Sequence, residues 1–180
     1  VDEHDHQRDR QALFYDVYRK SRQCHAPVIA KIDGYCVGGG LIVAMYCDIR
    51  FAAEGSEFAL PVTDVGQVPT GGASRRAIDL VGEAAAKELV LTAGYIDAAE
   101  AERIGLVNRA VPADALEDEV KDVVSAIRET ASDAVKNSKR TLNEAADAAT
   151  AEAARKREAD RWWEQFATEE RRERVAGFVE

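Results

Sequence analysis

Apolar positions fall into short runs over roughly the first two thirds of this chain and into a helical rhythm over the last third. Leu13, Phe14, Val17 and Tyr18 recur at i, i+3, i+4 spacing and predict a helix over 10–23, behind a polar, charged stretch at 1–8 that is expected to be mobile. A compact β-rich run at 28–32 predicts a strand. It leads to the triple glycine 38–40 and then to the nearly unbroken apolar run 41–47, which predicts a buried helix over 39–48. Two further strands are predicted at 49–53 and 57–59, the second entering a loop at 60–72. Gly71 and Gly72 precede a helix through 81, and Gly82 separates it from another over 83–92. A short helix over 98–105 is closed by Gly105 at the position after its C-cap, and a strand follows at 107–110. Beyond 113 the chain is rich in alanine and charge, with no glycine before Gly177 and no proline after Pro112, a composition that predicts long helices. The pattern is that of an α/β core over 1–111 followed by a helical region over 112–180, with no linker or repeat between them.

Charge narrows the partners. The 180 residues carry a formal net charge of −9, which argues against nucleic acid or an anionic membrane surface. No stretch is apolar enough to span a membrane and no signal peptide is visible, so a cytoplasmic protein is expected. Cys24, Cys36 and Cys47 lack C-x-x-C spacing, and the last two lie in apolar runs as buried free thiols. His4 and His6 imitate a pair of metal ligands, but they sit in a polar end without a third ligand, and no metal is expected. His25, ahead of the first strand, reads as structural.

The chemistry is expected at the glycine turn. Glycines at a strand-to-helix junction let the chain turn sharply and let a ligand approach the backbone. The free N–H groups of the first helical turn then point at that ligand, with the positive end of the helix dipole behind them. A carbonyl oxygen becoming an oxyanion suits such a place. The turn is not a phosphate-binding P-loop, since no G-K-[ST] follows, nor does it carry the acidic partner of a dinucleotide fold.

The residues around the turn extend the signal. The chain reads Pro27-Val28-Ile29-Ala30, Asp33-Gly34-Tyr35-Cys36-Val37-Gly38-Gly39-Gly40 and Cys47-Asp48, then Phe58-Ala59-Leu60-Pro61, Gly66, Pro69, Gly71, Gly72 and Arg76. Glu88-Leu89-Val90-Leu91-Thr92, Gly105-Leu106-Val107-Asn108 and the closing Phe166-Ala167-Thr168-Glu169 continue it. From about residue 26 to the end this series resembles the crotonase family, also called the enoyl-CoA hydratase/isomerase family.

That resemblance implies a crotonase-like fold, a spiral ββα core of which this chain carries only the C-terminal part. Helices over the active site follow, and these also pack a homotrimer or a dimer of trimers. Family members extend further at the N-terminus, through a loop with A-G-x-D-[LIF] that supplies a second oxyanion donor and part of the coenzyme A adenine pocket. This chain starts at or just after that loop. The partner implied is an acyl-CoA thioester, with no separate cofactor because coenzyme A belongs to the substrate. By position Gly39 gives the oxyanion N–H, and Gly38, Ile42, Pro61 and Val62 are carried over as substrate-binding positions.

Two departures bear on the reaction. Hydratases of the family carry glutamates in G-G-G-x-E and F-x-x-P-E, and those positions here are Ile42 and Val62. Neither side chain can activate water or deliver a proton. A third position, which other branches fill with aspartate, is Thr70. Asp64 is a candidate substitute, against a plain surface charge. Thr70 is another, against a loop-capping hydroxyl. Tyr35 reads as packing beside the coenzyme A path or in the core. Arg75 or Arg76 could pair with an internal carboxylate or with a carboxylated substrate. Trp162-Trp163 suit core or subunit packing or the acyl pocket wall, and the arginines around 155–157 and 171–174 suit a solvated helix face. The reading is an acyl-CoA enzyme with a divergent acid–base site, an isomerase, decarboxylase, C–C lyase or hydrolase rather than an ordinary hydratase. The alternative is a non-catalytic acyl-CoA-binding protein or pseudoenzyme subunit.

Overall fold

The computed structural model describes residues 3–179, with side chains described for Asp9 and for 12–177. The chain divides into two compact units, one formed by residues 1–22 and 28–120, the other by 23–27 and 121–180.

In the first unit the chain order is α1 (Glu3–Gln23), β1 (Ile29–Ile32), β2 (Tyr35–Val37), α2 (Gly39–Tyr46), β3 (Ile49–Ala53), β4 (Glu57–Ala59), a 3-10 turn (Thr63–Val65), α3 (Ala73–Leu91), β5 (Ile96–Asp97), α4 (Ala98–Arg103) and β6 (Arg109–Val111). The strands form two small sheets, β1-β3-β6 with all pairs parallel, and β2-β4-β5 with β2 and β4 parallel and β5 antiparallel to β4. Parallel neighbours need a crossover, and α2 lies in the one that returns the chain from β1 to β3. That accounts for its sequence, which is apolar on nearly every face: Leu41, Ile42, Ala44, Met45 and Tyr46 are all buried. They join Ile32, Phe58, Leu60, Leu89 and Leu106 in one hydrophobic core.

Two polar devices close this core. The Arg50 side chain is only 4% exposed, and it donates from Nε to the Leu106 carbonyl and from Nη1 to the Cys47 carbonyl, both at 2.7 Å. Asn108 brackets the same residue, its Oδ1 accepting from Arg50 N–H and its own N–H donating to the Arg50 carbonyl, each at 2.8 Å. Burial pulls the Arg50 guanidinium below its ordinary pKa. The second device is the end of α4. Asp97 caps its start by accepting from Glu100 N–H at 2.8 Å, and Gly105 (φ 81°) ends it in a Schellman motif. The Leu106 and Gly105 N–H groups donate to the Ala101 and Glu102 carbonyls at 2.8 and 3.0 Å.

The second unit takes in the C-terminal part of α5 (Leu116–Glu129), together with α6 (Ser132–Ala146), α7 (Ala151–Phe166) and α8 (Glu169–Val179). A four-residue connection folds α7 back along α6. Arg161 reaches Glu144 at 3.2 Å, and Asn137 donates to Gln165 at 2.7 Å. Glu170 caps the start of α6, accepting from the Ser132 and Asp133 N–H groups at 2.6 and 2.8 Å. Lys139 Nζ donates to the Ala26 carbonyl at 2.9 Å.

Several expected boundaries move. Helix α1 begins at Glu3 rather than 10, so residues 3–8 are helical rather than a mobile end; their polar sequence contains no glycine or proline to break a helix. The His4 and His6 side chains lie outside the described residues. Strand β6 runs over Arg109–Val111 rather than 107–110, because Val107 N–H is drawn into the closure of α4, donating to the Ala101 carbonyl at 3.1 Å. The two-residue β5 had no pattern to announce it. The expected break at Gly82 is present, its φ of 79° and ψ of 166° separating two helical runs within Ala73–Leu91. Among the described residues no helix is long and apolar enough to cross a membrane.

Candidate functional site

The glycine turn is held by one backbone hydrogen bond, from Gly38 N–H to the Ala59 carbonyl at the end of β4, at 2.9 Å. Gly38 has φ 55° and ψ −119°, a conformation in which a Cβ would be strained. It turns the chain from β2 into α2, whose first intrahelical bond runs from Ile42 N–H to the Gly38 carbonyl at 3.0 Å. Helical geometry leaves the N–H groups of Gly39, Gly40 and Leu41 without an acceptor inside the helix. Gly39 and Gly40 are exposed, so those donors face an accessible space at the positive end of the helix.

The same hydrogen bond sets the Leu60-Pro61-Val62 segment beside the turn. Pro61 and Val62 are half-buried. Val62 is tied on both sides of its peptide, donating to the Leu60 carbonyl and accepting from Gln67 N–H, each at 2.8 Å. Ile42 is 4% exposed and belongs to the hydrophobic core.

Thr70 is half-buried at the loop before α3, where its carbonyl accepts from Ala73 N–H at 3.0 Å. The capping contact there is made by the main chain. Asp64 is exposed in the 3-10 turn, and no contact places it beside Gly39. Among the described residues no cluster of His, Cys, Asp or Glu could hold a metal ion.

Three tyrosines join the two glycine turns, and of these the sequence pattern placed only Tyr18 on a helix face. An ideal Cβ on Gly39 would sit 3.4 Å from the Tyr18 hydroxyl oxygen, and one on Gly71 would lie 2.5 Å from a Tyr18 ring carbon. Gly72 is as tightly enclosed, its Cβ position being 2.3 Å from the Tyr46 hydroxyl and 3.1 Å from the Tyr15 ring. Gly71 and Gly72 also hold φ of 63° and 76°, so both backbone conformation and space require glycine. Tyr18 stacks between Phe14 and Tyr46, with ring centroids 6.2 and 6.4 Å apart. Burial pushes the Tyr46 phenol above its ordinary pKa, keeping it a neutral donor. Beside this cluster an open groove of about 460 Å³ is lined by Ala12, Tyr15 and the residues 68–72.

Other candidates lie elsewhere. Tyr35 is 78% exposed and meets Tyr95 edge-on rather than packing in the core, because on β2 it is Cys36 that points inward. Arg75 pairs with Asp79 at 2.7 Å, whereas Arg76 turns inward and donates to the Met45 carbonyl at 2.7 Å. Trp162 and Trp163 are exposed on α7, Trp162 stacked on Phe166 and Trp163 edge-on to both rings. Arg155 and Arg172 pair with Glu152 and Glu169 on the helix surface. His25 is exposed, so it is not buried in the structure as a core residue.

The family model described as enoyl-CoA hydratase/isomerase matches residues 1–180. A probable enoyl-CoA hydratase of Mycobacterium bovis is 37% identical over 169 residues, which is 94% of this chain and 65% of that protein. Among solved structures, an enoyl-CoA hydratase from Bacillus anthracis superposes with a TM-score of 0.93 at 28% identity, covering 99% of this chain and 69% of the other. A putative enoyl-CoA hydratase from Thermobifida fusca in complex with CoA gives a TM-score of 0.84 at 27% identity, covering 93% and 65%. The chain thus spans less than two thirds of the length of the Mycobacterium bovis relative.

Proposed function

This chain belongs to the enoyl-CoA hydratase/isomerase family, and on that premise we propose that the protein acts on an acyl-CoA thioester whose carbonyl oxygen is held at the Gly39 N–H. The donor is fixed before reaction and stabilises negative charge that develops only as an enolate or tetrahedral oxyanion forms. Gly38, Ile42, Pro61 and Val62 form the wall around the acyl end. The helices beyond 112 serve as cover and as the oligomer contact of a trimer or dimer of trimers.

The reaction we favour is not ordinary hydration, although the relatives named above are called hydratases. One observation carries this. The two positions that bear glutamates in the family's hydratase pattern hold two apolar residues, Ile42 and Val62. General acid–base groups contribute roughly 10²–10⁴-fold each, and an isoleucine and a valine contribute none. Decarboxylation and C–C cleavage need mainly a stabilised enolate, whereas double-bond isomerisation and thioester hydrolysis fit only with a base supplied by a residue other than these two. Thr70, beside the Gly71–Gly72 turn, is the better placed of the two substitute polar residues, and exposed Asp64 fits a surface charge.

A second reading, acyl-CoA binding without catalysis, draws on the same apolar Ile42, which would then serve only as pocket wall. Crotonyl-CoA tests the absence of hydration, and other thioesters separate the two readings. With the full-length protein, loss of the conjugated enoyl absorbance should be negligible while the thioester still binds by calorimetry. Turnover in the usual enzyme range of about 1–10³ per second would overturn the divergent site. Binding without turnover of any β,γ-enoyl, malonyl-type or 3-oxoacyl thioester would leave the binding protein.

A further inference from the structure

The space left open by the missing side chain of Gly39 is bounded by a hydroxyl. Tyr18 Oη lies 3.4 Å from where a Gly39 Cβ would sit, on the exposed side of the helix start. Its ring is fixed by packing: Phe14 and Tyr46 stack on it, and Gly71 has no side chain because the Tyr18 ring occupies that volume. A phenol held by three neighbours, with its oxygen 3.4 Å from the Gly39 Cβ position, is a preorganised donor beside a helix N-terminus.

We propose that Tyr18 is a catalytic residue of this protein, its hydroxyl donating a hydrogen bond to the substrate oxygen held at the Gly39 N–H and strengthening that bond as the oxygen becomes anionic. The inference rests on the thioester reading of the Gly39 turn and adds to it a side-chain donor supplied by α1. A phenolic hydroxyl suits the role: it donates a hydrogen bond to an oxyanion without transferring its proton. With Ile42 and Val62 apolar, this donor supplies polarity at the turn.

The test uses the full-length protein and acetoacetyl-CoA, a 3-oxoacyl thioester whose enolate is followed by near-ultraviolet absorbance as a function of pH. Wild-type protein should stabilise the enolate and lower its apparent pKa relative to free acetoacetyl-CoA. Tyr18→Phe removes one oxygen and keeps the ring. A hydrogen bond to a charged group is worth about tenfold to hundredfold in affinity, so the enolate pKa on the variant should rise by about one to two units. Replacing Tyr18 with 3-fluorotyrosine, a stronger acid and better donor, should move it the other way, which a purely packing role would not do. An unchanged enolate pKa in both variants, with thioester binding intact, would remove Tyr18 from the site and leave the Gly39 reading standing. Failure of wild-type protein to bind the thioester at all would overturn the Gly39 reading, and this inference with it.

Discussion

The Tyr46 hydroxyl donates a 2.9 Å hydrogen bond to the Gly71 carbonyl, joining the last residue of α2 to the loop that precedes α3. The bond crosses 25 residues of sequence and fixes the second glycine turn against the helix that starts at the first. Tyr46→Phe should therefore cost about 0.5–1.5 kcal/mol, the net worth of one hydrogen bond. Urea denaturation of the full-length protein would show it as a lower midpoint with an unchanged slope.

Gly72 and Gly66 make a matched pair. Both have left-handed φ, 76° and 69°, but a Cβ on Gly72 would overlap the Tyr46 hydroxyl, whereas one on Gly66 meets nothing within 4 Å. Gly66→Ala should cost about 1–2 kcal/mol from backbone strain alone. Gly72→Ala adds the loss of the Tyr46 bond and displacement of a buried ring, for about 3–5 kcal/mol in all. Equal losses in the two variants would contradict the tyrosine packing around Gly72.

The buried Cys36 thiol gives stability an alkaline limb. Only 7% exposed, it is pushed by burial, and secondarily by Cys47, from 9.0 to about 11. The folded state holds this proton more tightly than the unfolded chain, so its contribution is complete below pH 9 and is lost as pH rises toward 11. Two units correspond to roughly 2–3 kcal/mol. Cys36→Ala should flatten the fall in stability between pH 9 and 11 relative to wild type. The comparison cancels contributions from other groups that titrate there.

Arg50 spans two carbonyls with a planar fork that lysine cannot reproduce. Arg50→Lys should lose about 2–4 kcal/mol, since buried carbonyls of Leu106 and Cys47 are left short of donors. Thermal unfolding monitored by circular dichroism would register this as a clear drop in Tm. A change within half a degree would mean that lysine reaches both acceptors.

Much of this organisation is legible from local pattern. The run from Leu41 to Met45 reads as a buried helix because nearly every position is apolar. The Gly38–Gly40 triplet reads as a turn because only glycine adopts such a backbone without strain, and the burial of Cys36 and Cys47 follows from their apolar neighbours. The helical tail follows from alanine, charge and the absence of breakers. Each of these is a property of a few adjacent residues, so the sequence by itself determines it.

Tertiary structure decided the rest. Tyr18 looked like one apolar position among four on α1, and nothing local says that its hydroxyl comes to Gly39 and its ring to Gly71. Tyr35 was expected beside the coenzyme A path or in the core, and alternation along a three-residue strand keeps it out of the core. β5 exists only because two residues meet the edge of β4. Val107 leaves its strand because the end of α4 takes its N–H. Contacts between residues tens of positions apart depend on how crossovers return strands to the same sheet. Side-chain periodicity records which face is buried, and the partner on that face is set by packing in three dimensions.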